Sequence, residues 1–189
     1  AIFHLMPANP TIGYRLFTLN DDNYLFLDNN NRLQADVKLL SEGGAGLRVY
    51  TNEALSDTLD NQKMLQDITI SLNRFDLEHL TSALPYVPHI TGILDGDYHL
   101  TMDEKKQISV ASDMQVKQLT YEGEPLGNLS AEFVYLQRED DSHAVEGLLM
   151  KDNSDILAFS GNYRNKKVTG GHEQIDGTLT LTKTPLGLI

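Results

Sequence analysis

The feature that most constrains this chain is a long two-residue alternation between Ile68 and Tyr135. Ile68, Ile70 and Leu72 open it, separated by Thr69 and Ser71. Ile90, Gly92, Leu94, Gly96, Tyr98, Leu100 and Met102 resume it, with Thr91, Asp95, Asp97, His99 and Thr101 between them. Ile108, Val110, Met114 and Val116 follow, and Leu129, Ala131, Phe133 and Tyr135 close it against Asn128, Ser130 and Glu132. Successive side chains of a strand point to opposite faces, so this pattern predicts strands with one oily and one wet face. Within the stretch, Asp76 to Leu84 changes period. Leu77, Leu80 and Leu84 fall at helical spacing, Asp76 suits an N-cap, and Phe75 can staple onto Leu80. A helix of about nine residues needs packing to hold it, and the end of a sheet is the expected support.

The same alternation runs through the rest of the chain. Tyr14–Leu19, Tyr24–Leu27, Leu33–Leu39 and Gly46–Thr51 read as strands, divided by Asn/Asp-rich turns at 20–23 and 28–31. Tyr24–Leu27 is apolar on both sides, which predicts burial of both faces. Residues 1–11 read as a loop, interrupted by Pro7 and Pro10, and 52–63 as a longer polar loop with a helical turn at 53–59. Leu119 and Tyr121 are one residue out of phase, which a β-bulge near Lys117 would explain. Residues 138–142 read as a charged hairpin tip, and Val145–Leu149, Ile156–Phe159 with Tyr163, and Gly177–Thr182 as the remaining strands. The expected fold class is all-β: an antiparallel, curved, repetitive sheet, trough-like or sandwich-like, with one short helix at 76–84.

A chain of 189 residues can bury a core without disulfides, and it contains no cysteine. That removes thiolate metal sites and cysteine nucleophiles. The formal charge of -12 argues against nucleic acid, which needs dense Lys and Arg. No run of side chains is long and apolar enough for a membrane-spanning helix.

Catalytic signals are weak. The six histidines include His79, His89 and His99 near Asp95 and Asp97, but their spacing matches no four-ligand metal site. Asp95-Gly96-Asp97 and Asp28–Asn31 lack calcium-loop spacing and are better explained by turn chemistry. No Gly-x-Ser-x-Gly elbow occurs. With no Trp, a sugar-cleaving cleft has little to stack on. The expectation is a non-enzymatic protein with no catalytic residue, cofactor or metal.

Leu179, Leu181, Leu186 and Ile189 echo Ile70, Leu72, Leu77 and Leu80 at a common offset of about 109 residues, as a repeat would. Leu65–Ile68, Leu84-Pro85-Tyr86-Val87-Pro88-His89-Ile90-Thr91-Gly92 and Gly123-Glu124-Pro125-Leu126-Gly127-Asn128-Leu129 together resemble the TamB family. These are AsmA-like translocation and assembly proteins of Gram-negative envelopes, and the wording is similar to Bacteroidetes members. The resemblance covers about two thirds of the chain. It implies a slice of a longer protein: 1–64 ending one β-repeat unit, 65–182 forming the next, and 183–189 starting another.

The resemblance further implies a periplasmic, membrane-anchored bridging protein that moves phospholipid and supports outer-membrane protein assembly. Its partners would be phospholipid or unfolded outer-membrane strands, with a barrel partner contacted through parts absent here. The residues expected to line an apolar groove are Leu94, Tyr98, Leu100, Ile108, Val110, Met114, Val116, Leu129, Ala131, Phe133 and Tyr135. The alternative reading is a β-sandwich module of a cell-surface protein that binds a ligand or glycan.

Overall fold

The structure is a computed structural model that describes residues 1–6, 9–29, 32–51 and 64–182. It is an open, unclosed antiparallel sheet of 13 strands with two short helices. The strands are β1 (Ile2–Phe3), β2 (Thr11–Ile12), β3 (Arg15–Leu19), β4 (Tyr24–Leu27), β5 (Leu33–Ser41), β6 (Gly46–Thr51) and β7 (Met64–Asp76). After helix α1 (Leu77–Ser82) come β8 (Ile90–Asp103), β9 (Ile108–Tyr121), β10 (Glu124–Gln137), β11 (His143–Lys151) and β12 (Ser154–Arg164). Helix α2 (Lys166–Thr169) then leads to β13 (Gln174–Leu181).

From β4 to β13 each strand pairs with the next in sequence, a plain meander. β3 shares the β5 edge with β4, and β1 and β2 are short additions to β4 and β3. β8, β9 and β10 are each 14 residues long, about 45 Å at the usual rise per residue. Among the described residues no helix is long and apolar enough to cross a membrane.

Registers convert alternation into faces, because directly paired residues of neighbouring strands point the same way. Val37, Val49, Ile70 and Tyr98 form one such row, and Leu39, Leu47, Leu72, Gly96, Met114, Ala131, Leu149 and Leu157 another. The apolar face therefore runs unbroken across the sheet. The opposite face carries Asp36, Arg48, Asp97, Asp113, Glu132, Glu146 and Ser160.

Tight packing occurs at one end. Phe17 and Phe75 stack with ring centroids 5.7 Å apart and bury Ala45, with Ile12, Leu39, Leu47, Leu72, Leu80 and Leu94 packed around them. α1 closes this cluster. Asp76 caps it, its Oδ1 accepting the Glu78 N–H at 3.0 Å, and Phe75 and Leu80 meet as the staple pattern predicts. Gly13 fits beneath the helix with φ +55; a Cβ there would lie 2.5 Å from the His79 carbonyl oxygen.

Bulges interrupt the ladder near that end. β9 carries an extra residue between Val116 and Leu119 relative to both neighbours, and Gln118 sits there at φ +53. This restores Leu119 to the apolar face, as the phase shift predicts. β7 has a matching insertion between Leu72 and Phe75, with Arg74 at φ +53. In both, a side chain of the next strand accepts the displaced backbone N–H. Asp95 Oδ1 takes that of Arg74 at 2.8 Å, and Asn128 Oδ1 that of Gln118 at 3.0 Å. Gly92, at φ +139 opposite the β9 bulge, has no room for a Cβ, which would fall 2.8 Å from Val116 Cγ1. Such insertions bend the strand and raise its twist.

Several expectations need correction. There are two helices rather than one: Asn165 caps α2 by accepting from Lys167 and Val168, and Gly170 ends it at φ +73. α1 stops at Ser82, so Leu84 lies outside it and is 56% exposed rather than packed. β4 is half-buried rather than enclosed: Tyr24, Leu25 and Phe26 are partly buried and Leu27 is 41% exposed. The region read as an N-terminal loop holds β1 and β2. Asp95-Gly96-Asp97 lies inside β8, not in a turn. Asp28 is a turn residue, its Oδ1 accepting the Arg32 N–H at 2.8 Å. The reading of 52–63 as a loop, and that of 183–189 as the start of another unit, lie outside the described residues.

Candidate functional site

The candidate site is the apolar face of β7 to β13. All eleven residues expected to line a groove lie on it. Leu94, Val116 and Leu129 form one row, Met114 and Ala131 the next, Tyr98 and Phe133 flank Ser112, and Leu100, Val110 and Tyr135 form a fourth. Ile108 extends the face opposite Met102. The alternation had also placed Ile68, Ile70 and Leu72 on this kind of strand, and they join the same rows from β7.

None of the eleven is fully buried, and Leu100 is 36% exposed. In a closed sandwich or barrel the inward rows would sit at a few per cent. Fully buried apolar side chains among the described residues are confined to Phe17, Leu19, Ala35, Ala45, Phe75 and Ile156. Leu94 alone among the eleven packs against the closed cluster, and so marks its boundary.

Gln66, Gln137, Lys151 and Ser154 lie at the margins of this face, and its inner polar groups lie in two places. Ser112, 6% exposed between Tyr98 and Phe133, has a hydroxyl without a hydrogen-bond partner. The Tyr98 hydroxyl turns to the Met114 sulfur. At the β10–β11 hairpin end, the Tyr135 hydroxyl and His143 Nδ1 share a hydrogen bond of 2.6 Å. Their rings stack at 5.8 Å, and Tyr163 continues the stack at 5.5 Å from His143.

Beside these rings is a hollow of about 180 Å³, bordered by Val145, Gly161, Tyr163 and Ile175. Gly161 and Gly177 face each other across β12 and β13 there, and neither supplies a side chain to fill it. Sequence reasoning passed over this aromatic rim because His143, Tyr163 and Ile175 come from three strands. Only the register brings them together.

The wet face carries ion pairs. Arg48 holds Asp36 through two hydrogen bonds of 2.9 and 3.0 Å and lies over the Tyr50 ring. The Asp36 hydrogen bond raises the guanidinium pKa further above its ordinary value. His99 Nε2 meets Asp67 Oδ1 at 2.7 Å, while Asp97, two residues earlier, stays exposed. A shallow depression of about 500 Å³ between the two bulges is bordered by Arg74, Asp95, Lys117 and Asn128. Among the described residues no three His, Asp or Glu come together as a metal site would require.

No family model, curated protein or solved structure matches the chain.

Proposed function

We propose that the chain is a non-enzymatic, TamB-like segment of a periplasmic envelope protein whose apolar sheet face accommodates the acyl chains of phospholipid, or apolar strands of outer-membrane proteins. One observation carries this reading: an apolar face that runs across the meander on strands about 45 Å long at β8 to β10, with no second layer over β9 to β13 among the described residues. Soluble monomers rarely leave contiguous apolar surface beyond a few hundred Å² without using it. An acyl chain needs a dry, featureless wall, and this face offers aliphatic side chains with few polar interruptions. The opposite face is mixed: Asp97, Asp113, Glu132 and Glu146 wet it, and Val134 and Leu136 also stand exposed on it.

The alternative of a glycan-binding sandwich is less well supported. A sandwich needs a second sheet against this face. The hollow at the β10–β11 end presents apolar surface, and the Tyr135 hydroxyl and His143 Nδ1 beside it are engaged with each other.

The test is retention of a fluorescent phospholipid by the purified chain after passage over phospholipid vesicles. Retention is expected, with Phe133→Arg lowering it by about tenfold or more, because the new charge would have to be desolvated beside the chain. Glu132→Arg, one residue along on the wet face, is expected to leave it unchanged. Failure to retain lipid, or equal loss in both variants, would overturn the reading.

A further inference from the structure

Large and small side chains alternate across the apolar face. One row reads Tyr98, Ser112, Phe133, Gly147, Phe159 from β8 to β12. The next reads Gly96, Met114, Ala131, Leu149, out of step with it. Each large side chain therefore has a small residue beside it to lie over. Gly147 has no room for a Cβ because the Phe159 ring takes that space, and a Cβ at Gly96 would fall 3.0 Å from Met114 Cγ. Size alone asks only for Gly or Ala at such positions, and Gly96, Ala131 and Gly147 comply.

Ser112 does not. It fills a small position between Tyr98 and Phe133, is 6% exposed, and its hydroxyl has no hydrogen-bond partner. Burying a hydroxyl unpaired is unfavourable, and Ala would fill the same space without that cost. Packing therefore leaves the hydroxyl unexplained, while chemistry leaves it one hydrogen bond to donate. Its cover is light. Phe133 is only partly buried and has no second layer over it among the described residues. The Tyr98 hydroxyl is turned to the Met114 sulfur, a weak acceptor. Either ring can swing outward without giving up a strong bond.

We infer that Ser112 reads a carbonyl: when Tyr98 or Phe133 turns outward, the Ser112 hydroxyl donates to the carbonyl oxygen of an ester-linked acyl chain lying on the apolar face. The complementarity is one of number. The neighbours of Ser112 on this face along β9 are Val110 and Met114, so β9 answers a single acceptor here. A bound peptide strand would bring a carbonyl and an N–H with every residue, about 3.3 Å apart. An acyl ester brings its carbonyl at one end of a long apolar chain. The inference rests on the reading of this face as an acyl-binding wall, and selects the lipid from its two cargoes.

The test offers the purified chain vesicles holding equal amounts of an ester-linked phosphatidylcholine and its ether-linked counterpart, which lacks that carbonyl. Mass spectrometry measures the ratio retained. The native chain is expected to hold the ester about fivefold over the ether. Ser112→Ala is expected to hold the two equally, with a thermal midpoint no lower than that of the native chain. With a carbonyl-labelled ester, the infrared carbonyl band is expected at lower frequency on the native chain than on Ser112→Ala, as a hydrogen bond requires. Retention of neither lipid would overturn the acyl-binding reading and this inference with it. Equal retention of both by the native chain would overturn the inference alone. So would an ester preference that survives in Ser112→Ala, an infrared band that the substitution does not move, or a variant less stable than the native chain.

Discussion

The end of the sheet beneath α1 and the expanse from β8 to β13 use the same strand grammar and reach opposite outcomes. At the first, Phe17 and Phe75 stack, Ala45 is sealed beneath them, and Leu80 of α1 completes the packing. At the second, Val110, Phe133 and Tyr135 lie on an equally apolar face, yet nothing among the described residues covers them and each remains half-buried. A second layer makes the difference. A helix of six residues and two short strands suffice to close one end. The remainder is held by backbone ladders and by contacts between neighbouring side chains of one face. Stability and surface are thus divided between regions, the closed end anchoring a wall whose apolar side chains stay accessible.

Truncation tests this division most directly. Phe17→Ala is expected to cost about 3–5 kcal/mol, the usual loss for an enclosed aromatic ring. Phe133→Ala, losing a ring that is only partly buried, is expected to cost only about 1–2 kcal/mol. Urea denaturation of both variants measures the gap, and equal losses would break the comparison. Gly13→Ala should come next, at about 1–3 kcal/mol, since a side chain at φ +55 is strained and this one also meets the His79 carbonyl; its thermal midpoint gives the value. Asp76→Ala removes the α1 cap and is expected to cost about 1 kcal/mol, with faster amide exchange at Glu78 as a local readout. Arg48→Ala, on the wet face, should change stability by no more than about 1 kcal/mol, because exposed ion pairs are screened. A larger loss there would mean that the wet face contributes more than the packing indicates.

Much of the sheet was legible in the residue pattern for a specific reason. Alternation over strands as long as β8, β9 and β10 leaves a single consistent assignment of faces, and a slip of one residue would expose every oily side chain. The β9 bulge was readable from the phase change at Leu119 and Tyr121. The Asp76 cap was readable because short carboxylate side chains suit that position. What escaped notice depended on three-dimensional neighbours. β1 and β2 are too short to show a period. α2 is a single turn, written only as Asn165 and Gly170 around four residues. The Tyr135–His143–Tyr163 stack joins residues of three strands. The exposure of Leu84 reflects where α1 ends, which helical spacing alone left open. Whether an apolar face is covered also cannot be read from alternation, since a sandwich interior and an uncovered wall are written with the same letters.

The bulges at Arg74 and Gln118 have a consequence for how such a sheet can change. Each is a single inserted residue whose stray amide is caught by a neighbour's side chain, and beyond it the in–out order resumes undisturbed. Adding or deleting one residue at such a point alters the local pitch of the whole ribbon while every other position keeps its orientation. Shape and surface chemistry can therefore drift separately, the first through rare insertions and the second through ordinary substitutions.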